Sequence, residues 1–184
     1  MRKFFAGLSI LTLLGLSPIL HIEPVRAQLF EIKEKIADSL FSPEIKLLLK
    51  AEKQVTKVGE NGISKAVWQP IEGRTVVQPG DILRYTVDGS NSGDVAATNL
   101  EITQPVPGNT TYILKSAVGA SRITYSIDGG KSYTTQPQVE ITLPDGSTEL
   151  QPAPPEMYTH IQWSFDKSLA TASAVEVSYS VSVD

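Results

Sequence analysis

Few residues in this chain could do chemistry. It contains no Cys. That excludes thiolate nucleophiles, zinc–thiolate and iron–sulfur ligation, disulfide staples and a lipid-bearing Cys. Of the histidines, His21 lies in an apolar leader and His160 in the body of the chain. His160 directly precedes the alternating run Ile161, Trp163 and Phe165, so it points to the opposite, solvent side of that strand. No Gly-x-Ser-x-Gly elbow accompanies it, and a serine triad lacks its exposed nucleophile. The acids fall in turns and on polar strand faces, whereas glycoside hydrolysis needs two of them across a cleft. Phosphate loops and dinucleotide fingerprints do not occur. The expectation is a protein that is not an enzyme and carries no cofactor.

Two other constellations could bind rather than react. The stretch Asp88-Gly89-Ser90-Asn91-Ser92-Gly93-Asp94 offers hard oxygens from Asp88, Asn91 and Asp94. Calcium takes six to eight such ligands, so this set falls short. A loop whose Asp and Asn bond their own backbone accounts for it better, and no metal is expected. Trp68, Tyr112, Tyr133 and Tyr158 could form a stacking platform for sugar rings if two or three of them shared one open face. The formal charge of −4 gives no electrostatic attraction for phosphate backbones, so nucleic acid is not an expected partner.

These residues must be positioned by elements, and the elements read as strands. With 41% hydrophobic residues over 184 positions, the chain has enough apolar content for one domain with its own core. Ile45, Leu47, Leu49 and Ala51 alternate with Lys46, Leu48, Lys50 and Glu52, which predicts a strand with one buried face. The same period of two recurs at Leu83, Tyr85 and Val87, and at Leu100 and Ile102. It recurs at Ile123, Tyr125 and Ile127, at Val139, Ile141 and Leu143, and at Ile161, Trp163 and Phe165. Last comes Val175, Val177, Tyr179, Val181 and Val183. Weaker candidates fall near 65–71, 75–77 and 110–115. The 59–81 stretch as a whole reads as an irregular crossover or a short edge strand, with Trp68 as a packing lid.

Turn signals separate these runs at Pro79-Gly80-Asp81, Asn91-Ser92-Gly93, Pro107-Gly108-Asn109, Asp128-Gly129-Gly130 and Pro144-Asp145-Gly146. Gly and Asn accept positive φ, and Pro presets the turn entry. Many short alternating strands with such spacing predict an all-β, immunoglobulin-like antiparallel β-sandwich over residues 44–184. If the last strand lies at a sheet edge, its Val/Ser alternation could accept a partner strand.

Two segments precede the domain. Residues 1–27 carry Arg2 and Lys3, an apolar run from Phe4 to Leu20, and small residues Val25 and Ala27 before Gln28. That is the pattern of a cleaved signal peptide. The alternative, an uncleaved anchor, would have to span with a run of only about 17 residues interrupted by Pro18. Cleavage would remove Arg2, Lys3, Arg26 and Glu23 and leave a more acidic chain with no transmembrane segment. Residues 28–43 place Leu29, Ile32, Ile36 and Leu40 at helical spacing, which predicts a short amphipathic helix or arm ended by Ser42-Pro43.

Within the domain, Val77–Tyr112 contains a Pro-Gly-Asp, an aromatic on the following strand, an Asn-x-Gly turn, small residues and a later Pro before a Tyr. The carriers are Pro79, Gly80, Asp81, Tyr85, Asn91, Gly93, Ala96, Ala97, Asn99, Pro107 and Tyr112. This stretch resembles the bacterial repeat family catalogued as domain of unknown function eleven. The resemblance covers about a fifth of the chain. It implies an immunoglobulin-type sandwich on a bacterial envelope or in a secreted protein, and no reaction. The chain departs from the family at Gln104, where the family's segment carries an acid, which removes a cation ligand.

Together these readings predict an exported, non-catalytic module with a structural or protein-interaction role. It would be periplasmic, on the cell surface or extracellular, and its partner would be an envelope or extracellular protein. The alternative is a module that binds surface glycan.

Overall fold

The computed structural model describes residues 42–184 apart from Arg74. The expected signal peptide at 1–27 and nearly all of the expected helix or arm at 28–43 lie outside the described residues. Ser42 and Pro43, at its end, are irregular.

Ten strands follow in order: β1 (Ile45–Val58), β2 (Ser64–Pro70), β3 (Ile82–Asn91), β4 (Glu101–Pro105), β5 (Thr110–Tyr112), β6 (Arg122–Ser126), β7 (Gln138–Thr142), β8 (Thr148–Pro152), β9 (His160–Ser164) and β10 (Ala174–Val183). One 3-10 turn, Pro155–Met157, precedes β9. A five-stranded sheet runs β2-β1-β3-β10-β5, a three-stranded sheet runs β4-β9-β6, and β7 and β8 form a separate hairpin. Every pairing is antiparallel. The chain is an immunoglobulin-like antiparallel β-sandwich, as its alternating runs predict.

All seven alternating runs form strands. The weaker candidate at 65–71 is β2, and that at 110–115 shortens to β5. The candidate at 75–77 is not a strand; there the chain turns, with Thr75 bonded back to Glu72. β8 had no apolar signal, because every one of its residues is exposed.

The core lies between the two sheets. Leu83 and Val87 of β3, Tyr112 of β5, and Val177, Tyr179 and Val181 of β10 meet Ile102 of β4 and Ile161 and Trp163 of β9. Trp163 is fully buried. Its ring centroid lies 5.9 Å from that of Tyr179, and its indole N–H donates to the Val118 carbonyl at 3.0 Å. A buried indole needs such an acceptor. Tyr85 turns inward with Leu83 and Val87 and stacks on Tyr179 at 5.4 Å. The Tyr179 hydroxyl donates to the Pro105 carbonyl at 2.8 Å and ties the sheets together.

The smaller sheet covers only part of the larger one. Its contacts fall on β3, β10 and β5, and no residue of β1 or β2 belongs to the core cluster. The buried face expected for β1 is therefore corrected: the strand forms, but Leu47, Leu48 and Leu49 are 53%, 58% and 53% exposed. Three strands cannot roof five, and β1 lies beyond the eave. A second correction concerns β10. It is no edge strand, since β3 pairs with it on one side and β5 on the other.

Candidate functional site

The start of β1 is anchored by the Asn-x-Gly turn. Asn91 is buried. Its side-chain oxygen accepts from the Glu44 and Gly93 N–H groups at 3.3 and 3.1 Å, while its amide donates to the carbonyls of Val95 at 2.7 Å and Leu169 at 3.0 Å. A buried amide is tolerated only when its donors and acceptor are matched in this way. Gly93 is required by close approach: a Cβ there would lie 2.4 Å from the Glu44 nitrogen and 2.6 Å from the Ser42 oxygen. Asn91 and Gly93 thus seat the chain where it enters β1.

The exposed row follows from register. The Ser92 N–H donates to the Glu44 carbonyl at 2.9 Å, and β1 then pairs with β3 from Ile45↔Asn91 to Lys53↔Leu83. In an antiparallel ladder alternate residues face the neighbour. Glu44, Lys46, Leu48 and Lys50 therefore point their backbone groups at β3, and Ile45, Leu47 and Leu49 point theirs away. β2 pairs only with Glu52–Val58, and Ile71 takes the Ala51 carbonyl at 2.9 Å. Among the described residues no strand pairs with the outward side of Ile45–Leu49. The edge is open over the stretch that carries the three exposed leucines.

Its side chains divide by face. Ile45, Leu47 and Leu49 share the inner face with Val87 and Gly89, and a Cβ at Gly89 would lie 3.3 Å from Leu47 and 3.5 Å from Ile102. Lys46, Leu48 and Lys50 lie on the outer face. There Lys50 pairs with Asp88, and Arg84 donates from Nε to Glu52 at 2.9 Å while lying 4.4 Å over the Trp68 ring. Trp68 is thus half-buried beneath the Arg84 guanidinium on the outer face, away from the core between the sheets. The paired Asp88 raises the Lys50 pKa, through a hydrogen bond and then charge attraction.

The oxygen ligands Asp88, Asn91 and Asp94 are not brought together. β3 runs through Asn91, so the expected loop is half strand. Asp88 and Asn91 fall on opposite faces, Asp88 is spent on Lys50, Asn91 on backbone, and Asp94 is exposed. The remaining motif residues are structural. Pro79 and Gly80 form a turn closed by the Asp81 N–H donating to Gln78 at 3.0 Å, with Gly80 at φ 87, a conformation glycine adopts without strain. The Asp81 carboxylate accepts from the Gln78 N–H at 2.7 Å, capping the entry of the turn rather than the exit, and pairs with Lys53 at 2.6 Å. These partners, Lys53 first, hold its pKa below the usual carboxylate value. The Pro107 carbonyl accepts from the Thr110 hydroxyl at 2.7 Å. His160 is half-buried and lies 3.2 Å from the Thr159 hydroxyl, away from Ile161 and Trp163.

The four aromatics proposed as a sugar platform do not share one face. Tyr112 is 1% exposed, and Trp68 sits on the larger sheet under Arg84. Tyr158 instead clusters with Tyr112 and Tyr125, centroids 5.3–5.5 Å apart. The half-buried rings of Tyr125 and Tyr158 line a cleft of about 420 Å³ with Leu114, Gln136 and Gln138. Burial pushes the Tyr125 and Tyr158 phenols up. Tyr133 lies on the neighbouring Asp128 loop, where Asp128 accepts from the N–H groups of Lys131 and Ser132 and from the Ser126 and Ser132 hydroxyls. Those bonds, the Ser132 hydroxyl first, hold its carboxyl far below the usual range.

No family model matches the chain, and no curated protein and no solved structure matches it. Among the described residues no helix is long and apolar enough to cross a membrane.

Proposed function

We propose that this chain is a non-catalytic β-sandwich module, exported to the cell envelope or beyond, that works by engaging another protein. The observation that carries this reading is the open edge of β1, where the backbone groups of Ile45, Leu47 and Leu49 meet no strand among the described residues and stand beside leucines more than half exposed. Natural sheets usually block such edges with prolines, bulges or short strands. The stretch Ile45–Leu49 is left open, with three leucines beside Lys46, and an open edge is a template for strand addition. The residue inventory gives no triad and no opposed carboxylates, which supports a non-catalytic role. The leader at residues 1–27 and the resemblance to the envelope repeat family support export. Capture from native envelope fractions with the tagged full-length chain tests the reading. Retention of a defined protein, lost in Leu49→Lys, is expected; retention that ignores this substitution overturns it. Mass analysis of the exported chain should find Gln28 at its N-terminus.

A second reading has one observation behind it, the tyrosine cleft. Two ring faces at Tyr125 and Tyr158 with two side-chain amides could hold a small glycan. Titration with envelope oligosaccharides followed by tyrosine fluorescence would show saturable quenching lost in Tyr158→Ala. An unchanged signal removes this reading.

A further inference from the structure

We infer that the occupant of the β1 edge is a second copy of this chain, paired antiparallel about a two-fold axis at Leu47. The inference rests on the reading of that edge as an interaction surface and names its partner. The argument comes from the segment Glu44-Ile45-Lys46-Leu47-Leu48-Leu49-Lys50. A two-fold pairing places residue i opposite j of the second copy with a constant sum. Only residues whose backbone groups point outward can exchange ladder bonds. Centred on Leu47, Ile45 bonds Leu49 of the second copy, Leu47 bonds its own twin, and Leu49 bonds Ile45. These are the three residues whose N–H and C=O groups face away from β3.

Side chains agree with the same register. On the inner face Ile45 lies across from Leu49 and Leu47 from Leu47, so each member of the apolar row gains an apolar neighbour across the seam. On the outer face Glu44, paired with Lys46 of its own strand at 3.3 Å, lies across from Lys50 of the second copy, itself paired with Asp88, so opposite charges alternate on each side of the axis. Lys46 lies across from Leu48 and lays its aliphatic stem on that exposed side chain. A shift by one residue, to a centre at Leu48, would instead set Lys46 against Lys50 and Glu44 against Glu52, like charge against like charge. Charge therefore selects the Leu47 centre. The paired edge joins two five-stranded sheets into one continuous sheet and removes the open edge from both.

Light scattering during gel filtration of the purified chain tests this, with a dilution series. A dimer at high micromolar concentration that dissociates on dilution is expected. Leu47→Lys sets two like charges on the axis and should raise the dissociation constant by about tenfold or more. Because the chain has no Cys, a single introduced thiol is a clean probe of register. Leu47→Cys should form a covalent dimer under mild oxidation. Val58→Cys, more exposed than Leu47 but outside the paired stretch, should do so only at the rate of random collision. A monomer at every concentration, or equal cross-linking at 47 and 58, overturns the self-pairing. A monomer that still captures one envelope protein through Leu49 overturns the self-pairing alone and leaves the module reading standing.

Discussion

β10 and the first half of β1 belong to one sheet and carry nearly the same pattern, yet they meet opposite fates. In β10 the alternate residues Val177, Tyr179 and Val181 are buried to 2% exposure or less. In β1 the corresponding row leaves Leu47 and Leu49 more than half exposed, with Ile45 part-buried at its start. The alternate apolar row does not by itself distinguish them; position does. β10 has a neighbour on each side and β9 above it, whereas the first half of β1 has, among the described residues, β3 on one side only, and of the smaller sheet only the end of Ile102 comes near Leu47. Alternation states that a face is apolar. It does not state what that face will meet, and in β1 we assign that role to another molecule.

The largest effect should come from removing the roofed side. Trp163→Ala or Tyr179→Ala deletes a fully enclosed ring and should cost about 3–5 kcal/mol, read as a lower midpoint in chemical denaturation. Leu48→Ala, on the bare side, should change the stability of the monomer by no more than about 0.5 kcal/mol. If the two regions responded alike, the contrast would be wrong. Tyr85→Ala lies between, because Tyr85 stacks on Tyr179 but is only half-buried; about 2–3 kcal/mol is expected.

A smaller loss should follow at the anchor that the two regions share. Asn91→Ala leaves the Glu44 and Gly93 N–H groups and the Val95 carbonyl without a partner, while the Leu169 carbonyl keeps the Ala97 N–H at 2.9 Å; about 1–3 kcal/mol is expected. It should also loosen the start of β1 before anything in β10, which amide exchange would register at Lys46 ahead of Val177.

The smallest effects concern pH, and they separate by region. Burial, then the neighbouring Tyr85 charge, raises the Tyr179 phenol, and burial, then the Tyr112 hydroxyl, raises that of Tyr125. A raised folded pKa means the folded chain holds the proton longer. Their contribution is complete below the unfolded value of about 10 and is lost as pH rises above it. Phenolate absorbance should therefore lag behind the exposed tyrosines and appear with unfolding. Asp81 and Asp128 are lowered instead. Their contribution is complete above the ordinary carboxylate value of about 4 and fades as pH falls below it. Asp128→Asn should flatten the acid limb of the stability curve and leave the alkaline limb unchanged.

Most of the fold was legible from period and punctuation, because each buried strand repeats apolar residues every second position and each turn carries Gly, Pro or Asn. β8 was not, since Thr148–Pro152 are all exposed and leave no apolar trace. The loop expected at Asp88–Asp94 turned out to be half strand, because Asp88 gains Lys50 across the sheet, a partner that no local signal announces. Strand order was also hidden. Nothing in the Val/Ser alternation of β10 says that it sits in the middle of a sheet. For β1 there was a local mark: Leu47-Leu48-Leu49 breaks the alternation, and three consecutive apolar residues in a strand must bare at least one to solvent unless both faces are roofed. The hub at Asn91 could be located by its Asn-x-Gly spacing, but its reach to Leu169 is a matter of tertiary structure alone.

Residue-resolved amide exchange along β1, at a dilution where the chain is monomeric, tests the central claim most directly. The ladder with β3 protects every second amide, so Lys46, Leu48 and Lys50 should exchange slowly while Ile45, Leu47 and Leu49 exchange nearly as fast as unstructured peptide. Equal protection at all six would mean that the edge is already paired within the single chain, and the account of an open, half-roofed sheet would fail.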